Sequence, residues 1–205
     1  MQNRGFKKCS TAFSTGRTFG RDDRMSQFHS HYKPGLILRL KSYFLKLRGI
    51  RVGSQSYVGK KSEILRFPKN VSIGDRTIVK NHVQICATNY NAKIKLGDDC
   101  TIGDHTYIYA SCEIIIGNNV LIAPFCYLVD ANHGTLKSKT IRSQELEKRP
   151  IHIGDDVWLG AQVKVLAGVS VKTGCIVAAG STVTSDTQPY GIYAGSPAKL
   201  VGHRK

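Results

Sequence analysis

Val, Ile or Leu opens eighteen hexapeptides between Val52 and Val183, and few folds accommodate a six-residue period held for so long. The leaders are Val52, Val58, Ile64, Ile73, Val79, Ile85, Leu96, Ile102, Ile108, Ile116, Ile122, Leu128, Ile153, Leu159, Val165, Val171, Val177 and Val183. Eight of them precede a glycine, as at Gly53, Gly74, Gly117 and Gly160, and a small residue follows four places after each leader. A helix of 3.6 residues per turn lets a six-residue stripe drift around its axis. A fixed short period of this kind is instead the signature of a β-helix.

Successive leaders stand six apart except at Ile64 to Ile73, Ile85 to Leu96, Ile108 to Ile116 and Leu128 to Ile153, and each exception follows a third hexad. Three hexads therefore make one coil, and insertions leave from one corner. A three-sided prism of about six coils follows, built of short strands. Leaders and the small residues four places on point inward, and the glycines permit tight corners. Spacing does not fix the hand of the coil. The longest insertion adds nineteen residues to the regular step between Leu128 and Ile153. Long loops on a rigid repeat are where function concentrates.

The 205 residues make one domain, and Lys+Arg 30 against Asp+Glu 14 leaves a net charge of +16. Nucleic acid, an anionic membrane surface or a phosphorylated substrate all suit that balance. The six cysteines form no CxxC pair, and Cys100, Cys112, Cys126 and Cys175 occupy the small inward position. They read as apolar filler rather than as a metal or disulfide set, which places the chain in the cytoplasm. No signal peptide or membrane span is visible.

Residues 1–33 are basic, polar and rich in Ser, Thr and Gly, and read as disordered. A helix is predicted from Pro34 to Arg48, within a segment 34–50 that Gly49 closes. Its apolar face would comprise Leu36, Ile37, Leu40, Phe44 and Leu47. Such a helix either lies on an anionic membrane or caps the open end of the first coil. The repeat then occupies 51–188 with a loop at 130–150, and 189–205 form a carboxyl-terminal tail.

Five motifs occur in a fixed order: isoleucine-glycine hexads, Asn132-His133 before the loop, Val157-Trp158-Leu159-Gly160, Ala179-Gly180-Ser181-Thr182-Val183-Thr184, and Gly195-Ser196-Pro197-Ala198-Lys199. From about Val52 to Arg204 the chain resembles the hexapeptide-repeat O-acetyltransferases, with the polysaccharide, maltose and galactoside branches nearest. The resemblance implies an all-β, left-handed parallel β-helix with an amino-terminal helical cap, assembled as a homotrimer with active sites between subunits. It also implies acetyl-CoA as acyl donor and no metal. His133 matches the general base, and an imidazole suits removal of a hydroxyl proton near neutral pH. The backbone N–H of Ala161 matches the donor to the tetrahedral oxyanion.

The same resemblance assigns Asp130, Asn132 and Trp158 to substrate binding, and Gly160, Ala161, Ala179, Ser181, Thr184, Lys199 and Arg204 to the cofactor. Asp130, Glu145 and Glu147 are all candidates to orient His133. Asn132 either touches the acceptor or fills the inward position, and Trp158 either walls the cofactor cleft or packs internally. No secure counterpart exists for the acceptor-binding Asn of the galactoside branch, which leaves the acceptor open.

The expected function is O-acetylation of a sugar in a surface polysaccharide or glycolipid precursor, with peripheral membrane contact compatible and nucleic acid not expected. The alternatives are a sugar-nucleotide N-acetyltransferase, a drug acetyltransferase, a zinc carbonic anhydrase of the same repeat, and a basic polyanion- or membrane-binding scaffold.

Overall fold

A computed structural model describes residues 36–205; the basic segment read as disordered lies outside them. The repeat closes into a parallel β-solenoid of six coils. Coil 1 holds β1 (Arg51–Val52), β2 (Tyr57–Val58) and β3 (Glu63–Arg66), and coil 2 holds β4 (Val71–Ile73), β5 (Ile78–Val79) and β6 (Gln84–Ala87). Coil 3 holds β7 (Lys93–Leu96), β8 (Thr101–Ile102) and β9 (Tyr107–Ala110), and coil 4 β10 (Glu113–Ile116), β11 (Leu121–Ile122) and β12 (Tyr127–Val129). After the hairpin strands β13 (Ala131–His133) and β14 (Leu146–Lys148) come β15 (Ile151–Ile153), β16 (Trp158–Leu159) and β17 (Lys164–Val165) of coil 5. Coil 6 holds β18 (Ser170–Val171), β19 (Ile176–Val177) and β20 (Thr182–Val183), and the chain ends in β21 (Gly191–Gly195) and β22 (Ala198–His203).

Strands at equal positions in the coils pair into three walls: β1-β4-β7-β10-β15-β18, β2-β5-β8-β11-β16-β19 and β3-β6-β9-β12-β17-β20. Leader meets leader in register, as at Ile116↔Ile153 and Ile122↔Leu159, and all eighteen are at most 7% exposed. The core is thus three aliphatic ladders facing one axis, and stability comes from coil-on-coil stacking.

The corners work differently from the expectation. The glycines after the leaders serve close approach between coils: a Cβ on Gly117 would strike Asp155 Oδ1 and backbone of the next coil. The left-handed turn falls two residues later. Gln55, Arg76, Asp99, Asn119 and Asp156 take it at the first corner, and Lys61, His82, His105, Phe125 and Gln162 at the second, with φ between 53° and 62°. Each such non-glycine residue costs about 1–2 kcal/mol. Stacking between coils offsets part of that cost. Arg76 binds Asp99 through two hydrogen bonds of 2.7 and 2.6 Å, and the rings of His82, His105 and Phe125 stack with centroids 4.6 and 5.1 Å apart.

Side chains one place before these turns knit the coils. Asp75 Oδ1 accepts from Ser54 N at 2.7 Å, Asp98 Oδ1 from Asp75 N at 2.8 Å, Asn118 Oδ1 from Asp98 N at 2.9 Å and Asp155 Oδ1 from Asn118 N at 2.6 Å. At the second corner Asn81 Oδ1 accepts from Lys60 N at 2.9 Å and Asp104 Oδ1 from Asn81 N at 3.0 Å.

Helix α1 (Leu36–Leu47) packs on β1 and β2. Gly49, at φ 84°, closes it, with its N–H donating to Lys46 O. The face it turns to the coil is not the expected one: Leu45 is buried, while Leu40, Tyr43, Phe44 and Leu47 are exposed. Coil 1 has carbonyls with no preceding coil to serve, and the helix supplies donors. Lys41 Nζ donates to Gly59 O at 2.6 Å and Ser62 O at 2.8 Å, Ser42 Oγ to Ser56 O at 3.5 Å, and Arg48 to Ile64 O at 3.5 Å. Burial holds the Lys41 ammonium below its ordinary pKa. The stretch described as a tail is an antiparallel hairpin whose β21 pairs with β19 and prolongs the second wall.

Candidate functional site

The third corner carries every insertion, and the longest leaves it after β12. Asp130 is its root. The residue is fully buried, and its carboxylate accepts from Ser111 N at 2.6 Å and Cys112 N at 2.8 Å. Burial raises its pKa above the usual carboxylate range, and the backbone donors pull the other way. This corrects its expected role: both oxygens are engaged by main chain of the preceding joint, so Asp130 anchors the loop rather than contacting an acceptor or orienting His133.

From that root β13 and β14 form a short antiparallel ribbon with Ala131↔Lys148, Asn132↔Glu147 and His133↔Leu146 opposite one another. Side chains alternate faces along a strand, so Glu147 shares a face with Asn132 and not with His133. Asn132 and His133 are both exposed, which excludes the inward filler reading of Asn132. Among the described residues the His133 imidazole makes no hydrogen bond. Beyond the ribbon Gln144 organises the tip: its Oε1 accepts from Leu136 N at 2.8 Å, and its Nε2 donates to Leu136 O at 3.1 Å and Lys139 O at 3.2 Å. Sequence reasoning missed this residue, because nothing in its local pattern marks it.

A second group gathers at the second corner of coils 5 and 6. Gly160 is buried, and Ala161 and Ala179 occupy the places that Asn81 and Asp104 fill in earlier coils. The chain of coil-to-coil bonds ends at Pro124, the equivalent residue of coil 4, and the alanines of coils 5 and 6 do not restore it. Among the described residues the Ala161 N–H has no acceptor, whereas its carbonyl accepts from Gly180 N at 2.8 Å. A Cβ on Gly180 would meet nothing within 4 Å, so the corner is open outward. Trp158 is 51% exposed in the second wall, between Leu121 and Ile176, which sets aside its internal packing role. Lys199 is exposed on β22 opposite Ala194, and Thr184 is exposed just after β20.

Two residues assigned to the cofactor do not fit that role here. Ser181 is buried in the inward position, and its hydroxyl accepts from Gly195 N at 3.1 Å, so it ties down the terminal hairpin. The Arg204 guanidinium is engaged with Asp156 Oδ2 at 2.7 Å and Gly174 O at 3.2 Å, where it closes the stack of the first corner. Both interactions join residues far apart in sequence or set by an alternation that the resemblance overrode.

Within one chain, then, His133 stands at the third corner and Ala161 at the second, with the whole third wall between them. No group of three or more potential metal ligands occurs among the described residues.

Residues 150–185 match the bacterial transferase hexapeptide (six repeats) family. The chain is 31% identical over 150 residues to a putative acetyltransferase of Schizosaccharomyces pombe, a match covering 73% of this chain and 70% of that one. The chain belongs to the hexapeptide-repeat acetyltransferases. A probable acetyltransferase of Mycobacterium tuberculosis is 32% identical over 136 residues, 66% of this acetyltransferase-family chain but only 43% of that protein's length. A putative lipopolysaccharide biosynthesis O-acetyl transferase of Escherichia coli is 32% identical over 116 residues, covering 53% of this chain and 59% of that one. An N-acyltransferase of Bacillus cereus, solved with dTDP and 3-hydroxybutyryl-CoA, shares the fold of this family member with a TM-score of 0.70, at 20% identity, over 80% and 88% of the two chains.

Proposed function

We propose that the chain transfers the acetyl group of acetyl-CoA to a sugar hydroxyl of a surface polysaccharide or glycolipid precursor. The observation that carries this reading is a pair of unclaimed polar groups: the exposed His133 imidazole on its ribbon, and the Ala161 N–H, to which Ala179 of the next coil offers no side-chain acceptor. An imidazole without a partner is available as a base, and a fixed N–H without an acceptor is available to a developing oxyanion. In the step proposed, His133 takes the hydroxyl proton as the sugar oxygen bonds to the thioester carbon. The tetrahedral oxygen is held by Ala161 N–H; the C–S bond then breaks, and the proton passes to the departing CoA sulfur.

The small surface of Ala161, Ala179 and Gly180 suits the pantetheine arm, Trp158 walls it, and Thr184 flanks it. Lys199 offsets phosphate charge. Since His133 and Ala161 occupy different corners of one prism, the site is complete only between neighbouring copies, which favours a homotrimer. The exposed Tyr43, Phe44 and Leu47 of α1 suit peripheral contact with the inner membrane face in the cytoplasm. The O-acetyl transferase of Escherichia coli supports a hydroxyl acceptor. The fold shared with an N-acyltransferase motivates the second reading, an amino-sugar acceptor.

The test is thiol release from acetyl-CoA against matched panels of sugars and amino sugars, with mass spectrometry locating the new bond. Ester formation that falls at least about 10²-fold in His133→Ala is expected. Normal turnover by that variant with a good acceptor sinks the assignment of the base, and amide formation alone sinks the hydroxyl acceptor.

A further inference from the structure

The outer face of the first wall holds a charged cavity that the acyl-transfer reading leaves unused. It encloses about 260 Å³ and is lined by Arg51, Lys69, Lys93 and Lys95, with Ser72 on its floor and Glu113 at its edge. The parallel register explains the cluster. Lys93 and Lys95 are alternate residues of β7, so both point outward; Lys95 pairs with Ser72, and Ser72 in turn with Arg51 of β1. The 3-10 turn Pro68–Asn70 brings Lys69 over this face, with its alkyl stem against Gly49. Asn70 pins that turn to the next joint through Nδ2 to Tyr90 O at 2.8 Å.

Among the described residues none of the four cations forms an ion pair or side-chain hydrogen bond. The one carboxylate, Glu113, lies beside Lys93 in the register but is also 3.8 Å from His152 Nε2. Four like charges in one concavity repel one another unless an anion joins them. The positive strip ends beyond β7, where the outward residues become Ile115, His152 and Ser170. The cavity therefore matches a compact anion better than an extended polyanion, which needs a long row of cations.

We propose that this cavity is a binding site for a phosphate or diphosphate ester, separate from His133 and Ala161 and independent of acyl transfer. Lysine and arginine supply charge-assisted hydrogen bonds to phosphate oxygens, and Ser72 adds a hydroxyl.

Calorimetric titration with inorganic pyrophosphate tests it on the unmodified chain, on Lys93→Gln/Lys95→Gln, and on Lys60→Gln/Lys61→Gln, which removes the same charge from a corner outside the cavity. Saturable binding that weakens about tenfold or more in the first variant and stays within twofold in the second is expected. Unchanged unfolding midpoints establish that both variants are folded. Absence of saturable binding to pyrophosphate and to vesicles alike, or equal weakening by both variants, overturns the proposal. Co-sedimentation with phosphatidylcholine vesicles, with and without phosphatidic acid, separates the sources. Retention that needs phosphatidic acid, and is lost in Lys93→Gln/Lys95→Gln alone, assigns the site to a lipid headgroup; pyrophosphate binding without such retention assigns it to a soluble ester.

Discussion

Asp130 shows how one buried carboxylate sets the position of a loop. Replacing it with Ala orphans the N–H groups of Ser111 and Cys112, each at about 1–3 kcal/mol. Asp130→Ala should therefore lower stability by roughly 2–6 kcal/mol in denaturant titration, and a loss below about 1 kcal/mol would contradict the anchoring role. The pH dependence has a definite sign. Because the folded-state pKa is raised, the unfolded chain ionises first, so the contribution of Asp130 is greatest below the ordinary carboxylate range, about pH 4, and falls as pH rises through the folded value. Asp130→Asn should lack that decline. At this scale the sequence was half informative. The motifs single out His133 and Ala161, whose catalytic roles are proposals, yet the reason Ala161 N–H is unclaimed is the alanine one coil later, visible only once the register is known. Ser181 was legible as an inward residue from its place in the hexad, and that alternation describes it better than the resemblance does. Arg204 pairs with Asp156 across 48 residues, a contact no local pattern encodes.

The corner turn is the element that the hexad pattern describes least well. Glycine after a leader suggested conformational freedom, whereas the structure uses it for clearance and places the left-handed residue two positions on. Gln55 illustrates the cost, since it is exposed at φ 56° in the first coil and makes no side-chain hydrogen bond among the described residues. Gln55→Gly should relieve about 1 kcal/mol of strain, less the added entropy of the unfolded chain, and raise the melting temperature by about 1–3 °C. Gly117→Ala has the opposite consequence, because its Cβ meets backbone that belongs to the ladder. A melting temperature unchanged in both variants would refute this division of labour. The walls themselves were legible: leader spacing placed all eighteen inward residues and located the corner of every insertion. Helix α1 was legible in extent, but its buried side was not. The open carbonyls of coil 1 select Lys41 and Ser42 over the apolar stripe.

For the whole molecule, the roles proposed for His133 and Ala161, which stand on different corners, tie activity to assembly. Light scattering should give three times 22.6 kDa. Co-refolding His133→Ala with Ala161→Pro, each inactive alone, should restore part of the activity, since some interfaces in a mixed trimer then combine an intact base with an intact N–H donor. Hybrid trimers that stay inactive would place the whole site within one subunit. The third corner has one more consequence. Arg149 N donates to Asp130 O at 2.9 Å, so the ends of the long insertion are clasped together by the scaffold and no wall strand depends on what lies between them. Doubling such a loop costs only about 0.6 kcal/mol in closure entropy. The tip of the segment is an exchangeable cartridge: swapping loops of other lengths between His133 and Leu146, with the β13–β14 ribbon and its base retained, offers a route to new acceptors with the solenoid left intact.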